Sequence, residues 1–326
     1  MATMRAIVRD RYGGPDVLRL EERPTPEPRA DQVLVRVRAA SLNTADLDHL
    51  KGMPRIARVG TGMNRPRTPF LGFDMAGDVE AVGPDVTRFR PGDGVWADLF
   101  GTRAGSFSEY VCVGQAALLA KPPGLAHEAA ATLPHSGILA LQALHARRHI
   151  HAGQHVLVNG AGGCVGPLAV QIARSIGAEV TGVDHTDKLE FLRAMGADHV
   201  IDYTREDLTR NGQRYDLILD IAANRSVLGY RRSLRNGGVY VQIARTLGGF
   251  FSAALVGGLL SLAGNRRMGV FTWVPNRATE LERLGELMVS GEITPVVDRR
   301  YPLAQVPEAL RRLQAGLARG KVVITT

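Results

Sequence analysis

Cysteine is nearly absent from this chain: Cys112 and Cys164 are the only two among 326 residues. Two thiols with no C-x-x-C spacing exclude a disulfide framework, a dithiol redox motif and a cysteine-rich metal lobe. Lysine is almost as scarce, at Lys51, Lys121, Lys188 and Lys321, so arginine carries the net charge of +8. The arginines are scattered rather than gathered into a tail or stripe, which argues against a nucleic-acid partner. Attraction of an anionic ligand is the simpler use of the excess. Long apolar runs are missing too, with one exception. No charge interrupts the 20 residues between Arg245 and Arg266, which include Phe250, Phe251, Leu255, Leu259 and Leu262. The length would span a bilayer, but Gly248, Gly249, Gly257, Gly258 and Gly264 interrupt it, and alternating strands and helices surround it. The segment 247–263 therefore reads as a buried or substrate-covering helix, or as the face of a homodimer, and membrane association is not expected. No basic, apolar and cleavable segment opens the chain, so a cytoplasmic location is expected.

The remainder has ordinary globular composition, 45% apolar, and its length calls for two domains rather than one core. Apolar and polar residues alternate over 4–9, 17–21 and 32–40, with further short strands at 75–83 and 107–113, as in half-buried antiparallel strands. Helical spacing takes over around Leu125–Ala143. From Val156 strands alternate with helical segments (167–176, 187–195, 204–210, 225–234), the order of a parallel sheet with crossovers. The tail holds helices at 278–290 and 305–315 and a final strand from Lys321. The expected division is a β-rich domain over 1–124, rejoined by 276–326, and an α/β domain over 125–275.

One unit in the second domain carries chemistry. An apolar strand over 156–159 runs into Ala161-x-Gly163-x-x-Gly166, a helix follows, and a second strand ends at Asp184. Strand, glycine turn, helix, strand and acid is the order a dinucleotide site requires. Glycines admit the pyrophosphate to the backbone, the helix start offers unpaired N–H groups, and the acid meets the ribose. Asp184 falls 21 residues after Gly163, near the roughly 20 expected. Gly163, Cys164, Val165 and Gly166 are placed at the pyrophosphate.

With these residues the chain resembles the medium-chain dehydrogenase/reductases, specifically the zinc-independent quinone oxidoreductase branch that includes zeta-crystallin. The resemblance runs nearly end to end. It is carried by Met4-Arg-Ala-Ile-Val, Gly14-Pro-Asp-Val-Leu18, Asn43-x-x-Asp46, Leu71-Gly-Phe-Asp-Met-Ala-Gly77, Gly105-Ser-Phe-Ser-Glu-Tyr-Val111, the glycine turn, Gly196-Ala-Asp-His-Val-Ile-Asp-Tyr203 and Arg319-Gly-Lys-Val-Val323. It implies an α/β protein: a GroES-like β-rich catalytic domain, a Rossmann doubly wound parallel-sheet domain, and an active site in the cleft between them.

Zinc-dependent relatives carry a Cys where this chain has Asn43, and a His-Glu pair where it has Phe73-Asp74. An amide, a phenyl ring and one carboxylate do not make a catalytic zinc site, so no zinc is expected. His145 and His149, spaced i,i+4, could share one helix face, and a solvated or capping role is expected for them. Chemistry without a Lewis acid favours acceptors that are already electrophilic, quinones and α,β-unsaturated carbonyls, with NADPH or NADH as hydride source. Asn43 is the leading polar group, implied by the resemblance to bind the nicotinamide-side ribose, and Asp46 would orient its loop. His135 and Asp48 are candidate proton donors, Asp48 doubtfully, with water as the alternative.

Asp184 should bond ribose hydroxyls and repel a 2′-phosphate, favouring NADH. The resemblance favours NADPH, and His185 and Lys188 could neutralise the phosphate. The choice stays even. Tyr203 is implied to lie near the adenosine end, and Ala222, Ala244, Phe271 and Thr272 follow strand ends where the nicotinamide should pass. The segment Gly52–Pro69, with Arg55, Arg58, Arg65 and Arg67, together with the apolar 247–263 stretch suggests a small hydrophobic carbonyl or quinone substrate, with or without an acidic group; a solvated arginine loop is the alternative. Two other readings remain open: a zinc-free alcohol/carbonyl dehydrogenase, and a non-catalytic nucleotide-binding paralogue.

Overall fold

The computed structural model describes residues 2–146, 149–243, 252–262 and 264–326. The chain forms two compact units. The first comprises Met1–Ile138, Pro275–Ser290 and Pro295–Thr326, and the second Leu139–Val274 with Gly291–Thr294.

The first unit opens with β1 (Thr3–Val8) antiparallel to β2 (Arg19–Pro24). The hub of its larger sheet is β3 (Gln32–Ser41), where the expected alternation appears. Val33, Val35 and Val37 enter a core with Met75, Val79, Val95, Val111 and Val113. At the far end of β3, Ala40 joins a second core with Leu42, Leu47, Leu50, Val322 and Ile324. Between β3 and β4 (Asp74–Val82) lie α1 (Thr44–Lys51) and the short α2 (Arg58–Thr61). The segment Gly52–Pro69 is thus partly helical rather than a bare loop. Strand β5 (Gly94–Asp98), which alternation did not reveal, is buried at four of five positions, so both its faces are covered. It is followed by β6 (Tyr110–Gly114), β7 (Leu119–Ala120), α3 (His127–Ala131) and α4 (Pro134–His145).

The second unit is a six-stranded parallel sheet. In chain order it runs β8 (His155–Asn159), α5 (Gly166–Ser175), β9 (Glu179–Asp184), α6 (Leu189–Ala194), β10 (His199–Asp202), β11 (Tyr215–Asp220), α7 (Val227–Arg232) and β12 (Leu234–Gln242). A helical segment ending in α8 (Gly257–Leu262) leads to β13 (Arg267–Val270). The spatial order β10-β9-β8-β11-β12-β13 reverses direction at β8/β11, the doubly wound arrangement whose ligand crevice lies outside the carboxyl ends of those strands.

Two expectations differ from the structure here. Residues 204–210 form turns, not a helix. Asp202 accepts from Thr204 N–H (2.9 Å) and Asp207 from Thr209 N–H (2.9 Å), side-chain bonds that compete with helical ones. The apolar stretch, described over 252–262, is not fully buried. Gly257 packs against β13, while Leu255, Leu259 and Leu262 are exposed. Among the described residues no helix is long and apolar enough to cross a membrane.

The tail adds α9 (Ala278–Val289), β14 (Val297–Pro302), α10 (Val306–Gln314) and β15 (Lys321–Thr325) to the first unit. Strand β15 inserts between β14 and β3, pairing parallel with the former and antiparallel with the latter.

Candidate active site and nucleotide-binding turn

The first unit holds a buried polar cluster at the carboxyl end of β3. Asn43, at the start of α1, is 1% exposed. Its side chain does not cap the helix. Instead Nδ2 donates to Asp74 Oδ2 (2.8 Å), and Oδ1 accepts from Lys321 Nζ (2.6 Å) and Ser136 Oγ (2.8 Å). Lys321 spends its other two protons on Asp74 Oδ2 (2.8 Å) and Ser136 Oγ (3.1 Å). Asp74 also accepts from Ser41 Oγ (2.9 Å) and, through Oδ1, from the His135 backbone N–H (2.7 Å). A buried ion pair survives desolvation only when the remaining bonds are satisfied, as they are here. The carbonyl of Asn43 and the carboxylate of Asp74 are saturated by these donors, so the residues at this position do not fit a zinc ion. Among the described residues no group of three His, Cys, Asp or Glu side chains could hold a metal.

His135 lies beside this cluster, its Nδ1 3.2 Å from Asp98 Oδ2 and its ring stacked on Phe73 at 5.8 Å. Burial pulls the imidazolium's pKa down, but the Asp98 charge and hydrogen bond, with Asp74 behind them, outweigh it and leave His135 above its ordinary value. Asp46 accepts the Asn43 N–H at Oδ2 (2.7 Å), while its buried Oδ1 has no partner. Burial pushes its carboxyl up to about 7, against the pull of the Asn43 N–H. Asp48 lies further along α1 and is half-buried. Asn43 and His135 are thus brought together through Asp74, which sequence reasoning treated only as a failed zinc ligand. Lys321, Ser136 and Asp98 were not anticipated. The available signal for Lys321 was a lysine heading an otherwise apolar strand.

In the second unit the glycine turn lies between β8 and α5. At Gly166 an added Cβ would meet Ala161 O at 2.3 Å, so helix and turn pack too closely for any side chain. Gly163 differs: its nearest neighbour would be Gly160 O at 3.7 Å, and its φ demands no glycine. Nothing within the chain requires glycine there, whereas a pyrophosphate laid on the turn does. This open cradle fits a dinucleotide.

Asp184 ends β9 as expected, but its oxygens are engaged. Oδ2 accepts from Gly162 N–H (2.7 Å) and Oδ1 from His185 N–H (2.8 Å). Lys188 Nζ lies 3.9 Å from Oδ1 and donates to Gly162 O (3.4 Å). The Tyr203 ring meets His185 edge-on at 6.1 Å, and Arg225 reaches Tyr203 O (3.4 Å). Ala222 follows β11, its N–H on Asn159 O (3.3 Å), and Phe271 and Thr272 follow β13. Cys164 is buried and Val165 half-buried in the turn. Ala244 lies outside the described residues. Sequence reasoning missed Asn159, whose Nδ2 sits 2.8 Å from Asp220 Oδ1 and whose buried Oδ1 has no partner. His145 and His149 do meet, Nδ1 to Nδ1 at 3.2 Å.

A doubly wound sheet with a glycine cradle and a β-rich unit with a buried polar cluster define a nicotinamide-dependent oxidoreductase. Residues 29–124 match the alcohol dehydrogenase GroES-like domain and 195–324 the zinc-binding dehydrogenase family. The chain is 31% identical to the mouse mitochondrial NAD(P)H oxidoreductase RTN4IP1, covering 98% of this chain and 89% of that protein. It is 33% identical to the chloroplastic NADPH-dependent alkenal/one oxidoreductase of Arabidopsis thaliana, covering 98% and 79%. The quinone oxidoreductase structure from Coxiella burnetii superposes with a TM-score of 0.88 at 29% identity over 100% of both chains. The chain therefore belongs to the medium-chain dehydrogenase/reductase superfamily, in its zinc-independent quinone and enone oxidoreductase branch.

Proposed function

We propose that the protein reduces α,β-unsaturated carbonyl compounds, with quinones as a second acceptor class, using NADPH. When bound, the reduced nicotinamide supplies a hydride. The chain's own residues hold the dinucleotide and manage the proton. The observation that carries this reading is the buried His135–Asp98 pair beside a cluster already saturated by its own bonds. Lys321 has no proton to spare, and the Asn43 carbonyl has no room for a metal. His135, whose proton Asp98 holds more tightly than usual, remains as the acid. Hydride addition at the β-carbon of an enone leaves an enolate, which takes one proton at the α-carbon. In this reading the His135 imidazolium delivers it. Asn43 and Ser136, fixed by Lys321, orient rather than react.

The preference for NADPH rests on the turn after β9. The Asp184 carboxylate is held by two backbone N–H groups and faced by Lys188, so its repulsion of a 2′-phosphate is blunted. His185 and Arg225 add donors beside Tyr203. The NADPH-dependent alkenal/one oxidoreductase among the relatives is consistent with that choice.

Oxidation of NADPH and NADH, followed at 340 nm in separate assays against enones, quinones and saturated aldehydes, tests the reading. Turnover of enones or quinones with NADPH preferred is expected, and Gly163→Val should abolish nucleotide binding while the fold persists. Turnover of aldehydes alone would transfer the protein to the alcohol/carbonyl dehydrogenases. Binding without turnover would make it a nucleotide-binding paralogue.

A further inference from the structure

The carboxyl ends of β8, β11 and β12 carry three polar side chains in register. Asn159 pairs with Asp220 and Asp220 with Gln242, so the three share one face of the parallel sheet. They are 1%, 0% and 4% exposed. Asp220 has no ion pair among the described residues and is held by hydrogen bonds. Oδ2 accepts from Tyr240 O–H (2.8 Å), and Oδ1 from Asn159 Nδ2 (2.8 Å) and Ala223 N–H (2.9 Å). Burial pushes the carboxyl above its ordinary value, against the pull of those bonds. A buried acid without a cation is costly, and an apolar side chain would fill a strand end as well. What the acid adds is the set of bonds it makes.

Those bonds join the two loops that leave neighbouring strands where the strand order reverses. Asn159 ends β8 and leads straight into the glycine turn, while Asp220 ends β11 and leads into residues 221–224. The Asn159 carbonyl accepts from Ile221 N–H (2.9 Å) and Ala222 N–H (3.3 Å), and its Nδ2 also donates to Asn224 Oδ1 (3.0 Å). With Ala223 N–H on Asp220, three successive amides of the turn end on this pair. Ala223 has a φ of 51°, a left-handed conformation that alanine rarely adopts, so the turn is held where it would not settle alone. The two loops also touch: a Cβ on Gly160 would meet Ala222 N at 3.2 Å and Ile221 Cβ at 3.4 Å. Above these buried ties Ala222 and Asn224 are exposed.

A ligand of a doubly wound sheet lies in the crevice between such loops. Asp184, at the end of β9, marks the adenosine side, so the other half of a dinucleotide runs over β11 and β12. Granted the pyrophosphate cradle at the glycine turn, on which this rests, we propose that Asn159 and Asp220 are positioning residues for the nicotinamide half of the cofactor. They lock the 221–224 turn to the glycine turn, so the crevice is set before the cofactor enters. Neither side chain contacts the cofactor, because both are covered; they act through the backbone of the turn. A turn already ordered need not be ordered by the ligand, which favours binding.

Titration calorimetry of the full chain tests this with two ligands: NADPH or NADH, whichever binds tighter, and its adenosine half, 2′-phospho-ADP or ADP. The second keeps the pyrophosphate but lacks the nicotinamide nucleoside. Asn159→Leu and Asp220→Leu should weaken the dinucleotide about tenfold and leave the adenosine half within about twofold. Asp220→Asn can keep all three bonds, with its amide donating to Tyr240 O, and should bind the dinucleotide like the wild type. Asn224→Ala, at an exposed position with little bearing on folding, removes one tie and should weaken the dinucleotide about threefold; it decides the matter if the leucine variants do not fold. Equal losses for both ligands, or dinucleotide affinity unmoved by Asn159→Leu and Asn224→Ala, would overturn the proposal. So would a loss in Asp220→Asn as large as in Asp220→Leu, which would assign the effect to charge rather than to the lock. A wild-type protein that binds neither ligand would refute the cradle itself, and the lock with it.

Discussion

His135 shows how one side chain can convert geometry into a pH dependence. Its folded pKa lies above the ordinary value, so the imidazolium persists to higher pH than that of a free histidine and is lost as pH rises through the raised value. If His135 donates the proton, kcat for enone reduction falls on that alkaline limb. His135→Gln should lower kcat by about 100-fold or more and flatten the limb. Asp98→Asn, acting through the histidine, should move the limb to lower pH while His135 remains in place. A pH profile of kcat for the three proteins checks this, and an unchanged limb in His135→Gln would remove the histidine from the reaction. His135 was legible in the sequence as a candidate proton donor. Asp98 was invisible as its partner because 37 residues separate them.

At the scale of elements, local pattern carried far in the second unit and less far in the first. Strand, glycine turn, helix, strand and acid follow one another between His155 and Asp184, so periodicity and spacing revealed them directly. The 204–210 turns escaped because Asp202 and Asp207 bond their own neighbours, a competition that spacing does not record. Strand β5 escaped because burial on both faces erases alternation. Helix α1 illustrates a further limit. Asp46 is expected from the sequence to orient its loop, and it does accept the Asn43 N–H, but burial raises its carboxyl to about 7. A carboxyl whose folded pKa exceeds its unfolded value binds its proton more tightly when folded. Its contribution to stability is greatest below about pH 4 and is lost as pH rises to 7. Asp46→Asn keeps an acceptor for the N–H without the charge. It should stabilise the protein by about 1–2 kcal/mol at pH 8 and by little at pH 4–5, measured by urea unfolding at both.

At the scale of the whole chain, the polar cluster draws on residues far apart in sequence. Lys321 meets Asn43 across 278 positions, Asp74 across 247 and Ser136 across 185. No window of sequence contains that arrangement, which is why the cluster was read as separate fragments. Lys321→Met would leave the Asp74 charge buried without its cation and should cost about 3–5 kcal/mol. Adding Asp74→Asn should recover part of the loss. A double-mutant cycle in urea separates the pair from its surroundings, and strictly additive losses would show that the two groups do not depend on each other.

The place of β15 between β14 and β3 sets an order of events during synthesis. Translation delivers Asn43 and Asp74 before the second unit and Lys321 only after it. A second unit with its own core can collapse while the chain is still growing, since domains fold as they emerge. The first cannot finish: β3 keeps an open edge at Ala39–Ser41, a template for the wrong neighbour, and the carboxylate of Asp74 waits for its cation. Pairing of β15 therefore closes the first unit, and the ribosome must release the chain through Lys321 before the polar cluster exists.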